Sequence, residues 1–273
     1  MLKWKKLRED FIAVNVGKKY NKEPYYWTTF YYYKGIIIDT GCPHTADESA
    51  KFLEEMELNV KAILLTHYHE DHSGGAHLFK SEFNVEVFAP EKAVGILANP
   101  PEIPTYRQIV WGQPKPVKAI PLKNKMNIEN LTITTIDTPG HSFDHISILI
   151  GRELFIGDLV TNLNPIIALK EENWINTINS IIKILKFEFD NAYGGHGIWH
   201  KNEVEKALKN TLELKREMET LWRKGLSVNQ IVEQMFPNPP KKVLQMEEVS
   251  GGEWSRKNLV ESLLGLKVDS NRF

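Results

Sequence analysis

The run His67-Tyr-His69-Glu-Asp71-His72 packs three imidazoles and two carboxylates into six positions. Imidazole nitrogen and carboxylate oxygen are the usual ligands of zinc-like divalent ions. On extended backbone, residues i and i+2 point the same way, so His67 and His69 can grip one ion. Asp71 and His72 lie further on and can aim at a second point. A lone histidine on an apolar face is more often a satisfied core residue than a ligand. This density is different in a chain of 273 residues with only 9 His. Three later turns also end in ligand-type residues: Asp137-Thr-Pro-Gly-His141, Leu154-Phe-Ile-Gly-Asp158 and Tyr193-Gly-Gly-His196. Each contains glycine, which permits the tight turns and close backbone approach that a metal loop needs. None is specific alone, but in this order they reinforce one another.

These residues need elements to carry them. The apolar run 60–65 reads as a buried strand, which puts the ligand cluster at its C-terminal end. Residues 11–16, 35–38, 85–88 and 131–136, with the short apolar run before Asp158, read as further strands. The aromatic stretch 25–33 predicts paired strands, with some of its tyrosines walling a cleft as the alternative. Thr45-Ala-Asp-Glu48 predicts a capping box and a helix to about Met56, with Ala50, Leu53 and Met56 inward. Residues 76–80 are expected to be helical. A helix is expected near 171–187, because Trp174, Ile178, Ile181, Ile182 and Leu185 recur at helical spacing as a core stripe. Prolines interrupt 98–116. That loop is expected to be a flap over the metal cleft, with Tyr106, Arg107 and Trp111 as candidate substrate contacts; a packed surface excursion is the alternative. Beyond His196 come an amphipathic helix over 203–224 closed by Gly225, a shorter helix capped by Ser227 and stopped at 236–240, and a last helix over 256–266. The chain therefore divides into 1–200 and a helical C-terminal extension, 201–273. The extension is expected to pack over the cleft, to form a homodimer through its helices, or to bind a partner.

Composition narrows the classes. A formal net charge of −1 gives no electrostatic footprint for duplex nucleic acid. The single cysteine, Cys42, excludes an intramolecular disulfide and makes a reducing cytoplasm the expectation. Cys42 itself reads as a small turn residue rather than a working thiol. The first ten residues lack the apolar core of a signal peptide, and no stretch reaches the length of a membrane span.

The HxHxDH run at 67–72, the Pro-Gly-His at 139–141, the Gly-Asp at 157–158, the Gly-Gly-His at 194–196 and an early Asp-Thr-Gly at 39–41 together resemble the metallo-β-lactamase superfamily, over about residues 10–200. The resemblance implies an α/β (α+β) fold, a four-layer αββα sandwich with the metals at one edge between the sheets. It implies that His67, His69 and His141 hold a first ion, that Asp71, His72 and His196 hold a second, and that Asp158 bridges them. Asp39 would orient the ligand loops by hydrogen bonds; a turn-forming Asp before glycine is the alternative. The implied cofactors are two divalent ions, zinc first, with iron and manganese as alternatives. The implied chemistry is hydrolysis by a metal-bridged hydroxide, with Asp71 and Asp158 holding its proton.

Fold alone does not name a substrate. The full ligand set and the helical tail resemble the glyoxalase II branch most, which predicts a small-molecule thioester or a related ester or lactone. Arg256 and Lys257 match that branch's carrier-binding basic residues only loosely. Pro139-Gly-His141-Ser-Phe-Asp144-His145 also resembles small endoribonucleases, which leaves single-stranded RNA as an alternative partner. There His145 would assist a leaving group or, more simply, support the ligand loops. A mononuclear iron persulfide dioxygenase and a non-catalytic, metal-stabilised scaffold are the remaining alternatives.

Overall fold

The computed structural model describes residues 1–20 and 22–266; positions 267–273 of the expected extension lie outside the described residues. Two sheets face one another. The first runs, edge to edge, Leu2–Arg8, Phe11–Val16, Thr28–Tyr33, Ile36–Ile38, Ala62–Leu64, Glu86–Ala89 and Ile120–Pro121. The second runs Lys125–Ile128, Leu131–Asp137, Ile146–Ile150, Glu153–Gly157, Asn191–Gly194 and Ile198–His200.

Side chains alternate across a strand, and Phe11–Val16 shows the consequence. Phe11 and Ala13 face the second sheet, while Ile12, Val14 and Val16 join a core with Ala50, Leu53, Phe79 and Ala93. Those four lie on the helices Ala46–Glu55, Ala76–Glu82 and Glu91–Ala98. Both faces of the strand are largely buried, so it reads in sequence as an apolar run interrupted only by the half-buried Asn15. Between the sheets, Phe11, Tyr31, Tyr33, Phe155 and Tyr193 pack ring on ring. Burying one such Phe contributes roughly 1.5–3 kcal/mol. On the outer face of the second sheet, Ile136, Leu154 and Ile156 meet Ile181 and Ile184 of the helix Trp174–Ile184 and Val204 and Ala207 of the helix Lys201–Arg223. Helices thus cover both outer faces, in the αββα order expected. No helix among the described residues is long and apolar enough to cross a membrane.

Several local expectations need correction. Thr45 caps nothing: a 3₁₀ turn over Pro43–Thr45 precedes the helix, and the Thr45 hydroxyl donates to the Cys42 carbonyl. The helix expected from 171 begins at Trp174, because Asn173 caps it by accepting from the Asn176 amide. The loop 98–116 contains a short helix, Thr105–Val110. Beyond the proline-rich stop at 236–240 lies an unexpected helix, Lys241–Val249, entered from Pro240.

The expected C-terminal helices are present as Lys201–Arg223, Val228–Met235 and Arg256–Leu263. Ser227 and Gln230 form a reciprocal capping box at the second. Met218, Leu221, Ile231, Leu259 and Leu263 share a core with Ala168, Trp174 and Ile178. A two-residue ladder between Ala168–Leu169 and Trp254–Ser255 adds a backbone link.

Candidate metal centre

Five strands end at one edge of the sandwich. Ile36–Ile38 and Ala62–Leu64 are parallel neighbours, as are Glu153–Gly157 and Asn191–Gly194. Leu131–Asp137 runs in the same sense as Glu153–Gly157, since each is antiparallel to the strand between them. The residues that follow their C-terminal ends therefore emerge together: Asp39, the 66–72 loop, His141, Asp158 and His196. The Ile146 amide donates to the Thr66 carbonyl and the Thr29 amide to the Gly195 carbonyl, which ties the two sheets together at this edge.

The side chains gather into two groups, His67, His69 and His141, and Asp71, His72, Asp158 and His196, whose donor atoms lie within 4.8 Å of one another in each group. His69 Nδ1 is 3.2 Å from His67 Nε2 and 2.9 Å from His141 Nε2. In the second group Asp158 Oδ1 is 3.1 Å from His72 Nε2, and Asp158 Oδ2 is 3.1 Å from His196 Nε2. Asp158 Oδ2 also lies 3.7 Å from His141 Nε2, so this carboxylate faces both groups. Gly195 makes the second group possible: a Cβ there would sit 2.4 Å from His72 Cε1 and 2.6 Å from Asp158 Oδ1.

The donor set fits divalent cations. His72 Nε2 and Asp158 Oδ1 are buried and without a hydrogen-bond partner, although they are only 3.1 Å apart. Buried polar atoms are normally paired. Two that converge without bonding each other have the arrangement of ligands aimed at a shared ion.

The outward nitrogen of each imidazole is engaged, which fixes ring orientation. Asp39 accepts from His72 Nδ1 at 2.8 Å and from the Thr66 amide, so this φ-positive turn residue also orients a site histidine. Thr66 Oγ1 meets His67 Nδ1, and the Trp27 carbonyl accepts from His196 Nδ1. His69 Nε2 donates to Glu171 at 2.9 Å, and His141 Nδ1 to Glu172 at 2.7 Å. Sequence reasoning missed Glu171 and Glu172, having placed them in the first turn of a helix, where acidic residues are unremarkable.

Charge follows this wiring. Burial alone would pull His141 down, but Glu172 and Asp158 outweigh it and raise its pKa to about 9. Burial likewise opposes the charged form of His72, yet Asp158, Asp71 and Asp39 leave it well above the ordinary value. His67, deeply buried among other imidazoles, is driven well below. Burial would raise Asp158, but His196 and His72 hold it far down. Glu171 falls to about 2 against its own burial because His69 faces it.

The remaining candidates are placed as follows. His145 is buried behind the centre: its Nε2 accepts from the Asp158 amide and its Nδ1 donates to the Thr138 carbonyl. Burial and the neighbouring His141 drop its pKa to about 3. Cys42 is buried, and burial lifts its thiol to about 11. Arg107, expected at a substrate, instead has its guanidinium forked onto Glu70 with two 2.7 Å bonds and extended to Glu253 at 3.4 Å. Tyr106 is raised by burial and by Glu253 beside it. The Trp111 carbonyl accepts from the His44 amide, and its ring lies 6.2 Å from that of Tyr26. A cleft of about 280 Å³ opens beside His196, lined among others by Lys5, Asn15, Trp27, Thr29 and Tyr31.

Comparison with known proteins agrees with this geometry. A profile of the metallo-beta-lactamase superfamily matches residues 33–196. The lactamase-like protein aptB of Emericella nidulans is 28% identical over 166 residues, 59% of this chain and 47% of that one. A hydroxyacylglutathione hydrolase of Thiobacillus denitrificans is 28% identical over 137 residues, 50% of this chain and 46% of the relative. Thioesterase pkgB of Emericella nidulans is 29% identical over 59% of this chain and 42% of its own length. The chain thus spans about half the length, or less, of these curated relatives. Among solved structures, a metallo-beta-lactamase from Pontibacter korlensis superposes with a TM-score of 0.62 at 16% identity, covering 77% of this chain and 98% of its own, a likeness of fold. With the profile spanning well over half its length and a His/Asp cluster suited to divalent metal, the chain belongs to the metallo-beta-lactamase superfamily.

Proposed function

We propose that this protein is a metal-dependent hydrolase with a two-ion centre that cleaves a thioester or a related ester or lactone. The observation that carries the reading is the pair of donor groups meeting at one carboxylate: three imidazoles on one side, two imidazoles and Asp71 on the other, and Asp158 between. His67, His69 and His141 would hold the first ion, Asp71, His72 and His196 the second, with Asp158 shared. A pair of divalent ions there supplies a water acidic enough to deprotonate near neutral pH and a Lewis acid for the scissile carbonyl.

The chain's own residues do the rest. Asp39, Glu171, Glu172, Thr66 and the Trp27 carbonyl fix the imidazoles. Asp71 and Asp158 present carboxylate oxygens that can accept the proton of the attacking water. The cleft beside His196 offers an aromatic wall at Trp27 and a cation at Lys5, a lining suited to a small acyl or thiol portion with a negative charge. Relatives named as a thioesterase and as hydroxyacylglutathione hydrolases support the thioester over other bonds. The ribonuclease alternative loses its proposed helper, since His145 is turned inward onto Asp158.

The test is a panel of acyl thioesters, homoserine lactones, nitrocefin, bis-p-nitrophenyl phosphate and short single-stranded RNA, with metal analysis of the same preparation. About two ions per chain and turnover confined to thioesters or lactones are expected. Asp71→Ala should lose more activity than the roughly 10–100-fold typical of an outer partner, with circular dichroism unchanged. Cleavage of RNA alone, or full activity in Asp71→Ala, would refute the proposal.

A further inference from the structure

Two carboxylates that are adjacent in sequence reach two different histidines of the same donor group. Glu171 Oε1 takes His69 Nε2, and Glu172 Oε1 takes His141 Nδ1. Each carboxylate is itself held. The Tyr68 hydroxyl donates to Glu171 Oε2 at 3.0 Å, and Trp174 Nε1 donates to Glu172 Oε2 at 3.0 Å. The Asn173 amide donates to the Gly140 carbonyl, beside His141, which fastens the same short segment to the histidine's own turn.

This segment is positioned by the C-terminal extension. Ala168–Leu169 pairs with Trp254–Ser255 as a two-residue ladder. The Lys170 amide donates to the Glu253 carbonyl at 2.7 Å. Ser262 Oγ donates to the Glu172 carbonyl at 2.9 Å and accepts from the Trp174 amide at 2.7 Å. Backbone bonds from residues 253–255 and the Ser262 hydroxyl thus bracket the two glutamates on both sides.

We propose that Glu171 and Glu172 are positioning residues for His69 and His141, and that the C-terminal helices, through Ser262 and the Trp254–Ser255 strand, set how firmly the three-histidine group holds its ion. The physical reason is orientation. A histidine binds metal through a nitrogen whose lone pair must point at the ion, and a carboxylate on the opposite nitrogen fixes both ring angle and tautomer while raising basicity. A fork carried on one rigid segment fixes two rings relative to each other. The second group takes its support elsewhere, from Asp39 and from the Trp27 carbonyl, so the effect is confined to one ion.

The test uses the full chain, stripped of metal and titrated with zinc against a chromophoric chelator, and with cobalt for its visible spectrum. His196→Ala, which touches only the second group, identifies which binding step belongs to the three histidines. Glu172→Gln is expected to weaken that step by about 10–100-fold and to leave the other within about twofold, with a shifted cobalt band for the weakened site. Glu171→Gln should act on the same step, and Ser262→Ala more weakly on that step. Glu171 is the safer variant should Glu172→Gln fail to fold, since its side chain is 31% exposed in the pair with His69. Unchanged affinities in both glutamine variants, or equal weakening of both steps, overturns the inference while leaving the two-ion reading intact. A wild-type chain that takes up no divalent ion overturns both.

Discussion

At the scale of single residues, the centre sets protonation against metal. His141 is held cationic by Glu172 and Asp158, with its pKa near 9, while His72 and His196 are also raised by their carboxylate neighbours. A ligand must be deprotonated to bind an ion. Metal uptake at pH 7 should therefore release protons, visible as a dependence of calorimetric binding heat on buffer ionisation enthalpy. The share released by His141 should fade above about pH 9, where that ring is already neutral. The metal-free fold shows the opposite trend. A raised histidine stabilises it fully below its unfolded value of 6.5 and ceases to as pH climbs through about 9. Glu171, depressed from 4.5 to about 2, contributes above 4.5 and is lost as pH falls through 2. The metal-free melting temperature should thus decline between pH 6.5 and 9, whereas metal affinity rises over the same interval. Binding heats identical in buffers of different ionisation enthalpy would contradict this.

At the scale of elements, the short helix Thr105–Val110 is bolted to the ligand loop. Arg107 forks onto Glu70, the residue between His69 and Asp71, with both side chains almost fully buried. Breaking one half of a buried ion pair leaves an uncompensated charge and costs on the order of 3–5 kcal/mol. Arg107→Ala should show a loss of that size in urea unfolding, and Arg107→Lys should recover only part of it, since an ammonium cannot form the fork. A cost under about 1 kcal/mol for Arg107→Ala would mean that the pair is not the fastening it resembles. The loop 98–116 was legible as irregular from its prolines. Its attachment was not, because an arginine in a polar stretch carries no mark of which carboxylate it will meet.

At the scale of the whole molecule, the C-terminal extension is continuous with the sandwich. Met218, Leu221, Leu259 and Leu263 cover Trp174 and Ile178, on the helix that follows the two glutamates. A chain ended at residue 200 would expose that apolar face and lose the ladder at Ala168–Leu169. It should aggregate or melt well below the full chain; a truncated protein with the full-length melting temperature would show the extension to be dispensable for the fold.

In the sequence, the ligand motifs and their resemblance to the metallo-β-lactamase superfamily implied the layered class, the edge where the loops meet, and the seven side chains that converge there. They could do so because ligand atoms come from few residue types, and because strand, glycine turn and ligand are written within a handful of consecutive positions. The supports around those ligands depended on tertiary structure. Glu171 lies 102 positions from His69, and Glu253 lies 146 from Arg107. With 35 acidic residues in the chain, nothing local distinguishes the few that end up buried against an imidazole or a guanidinium. Tertiary packing brings them there, within the sandwich for Glu70, Glu171 and Glu172 and from the extension for Glu253.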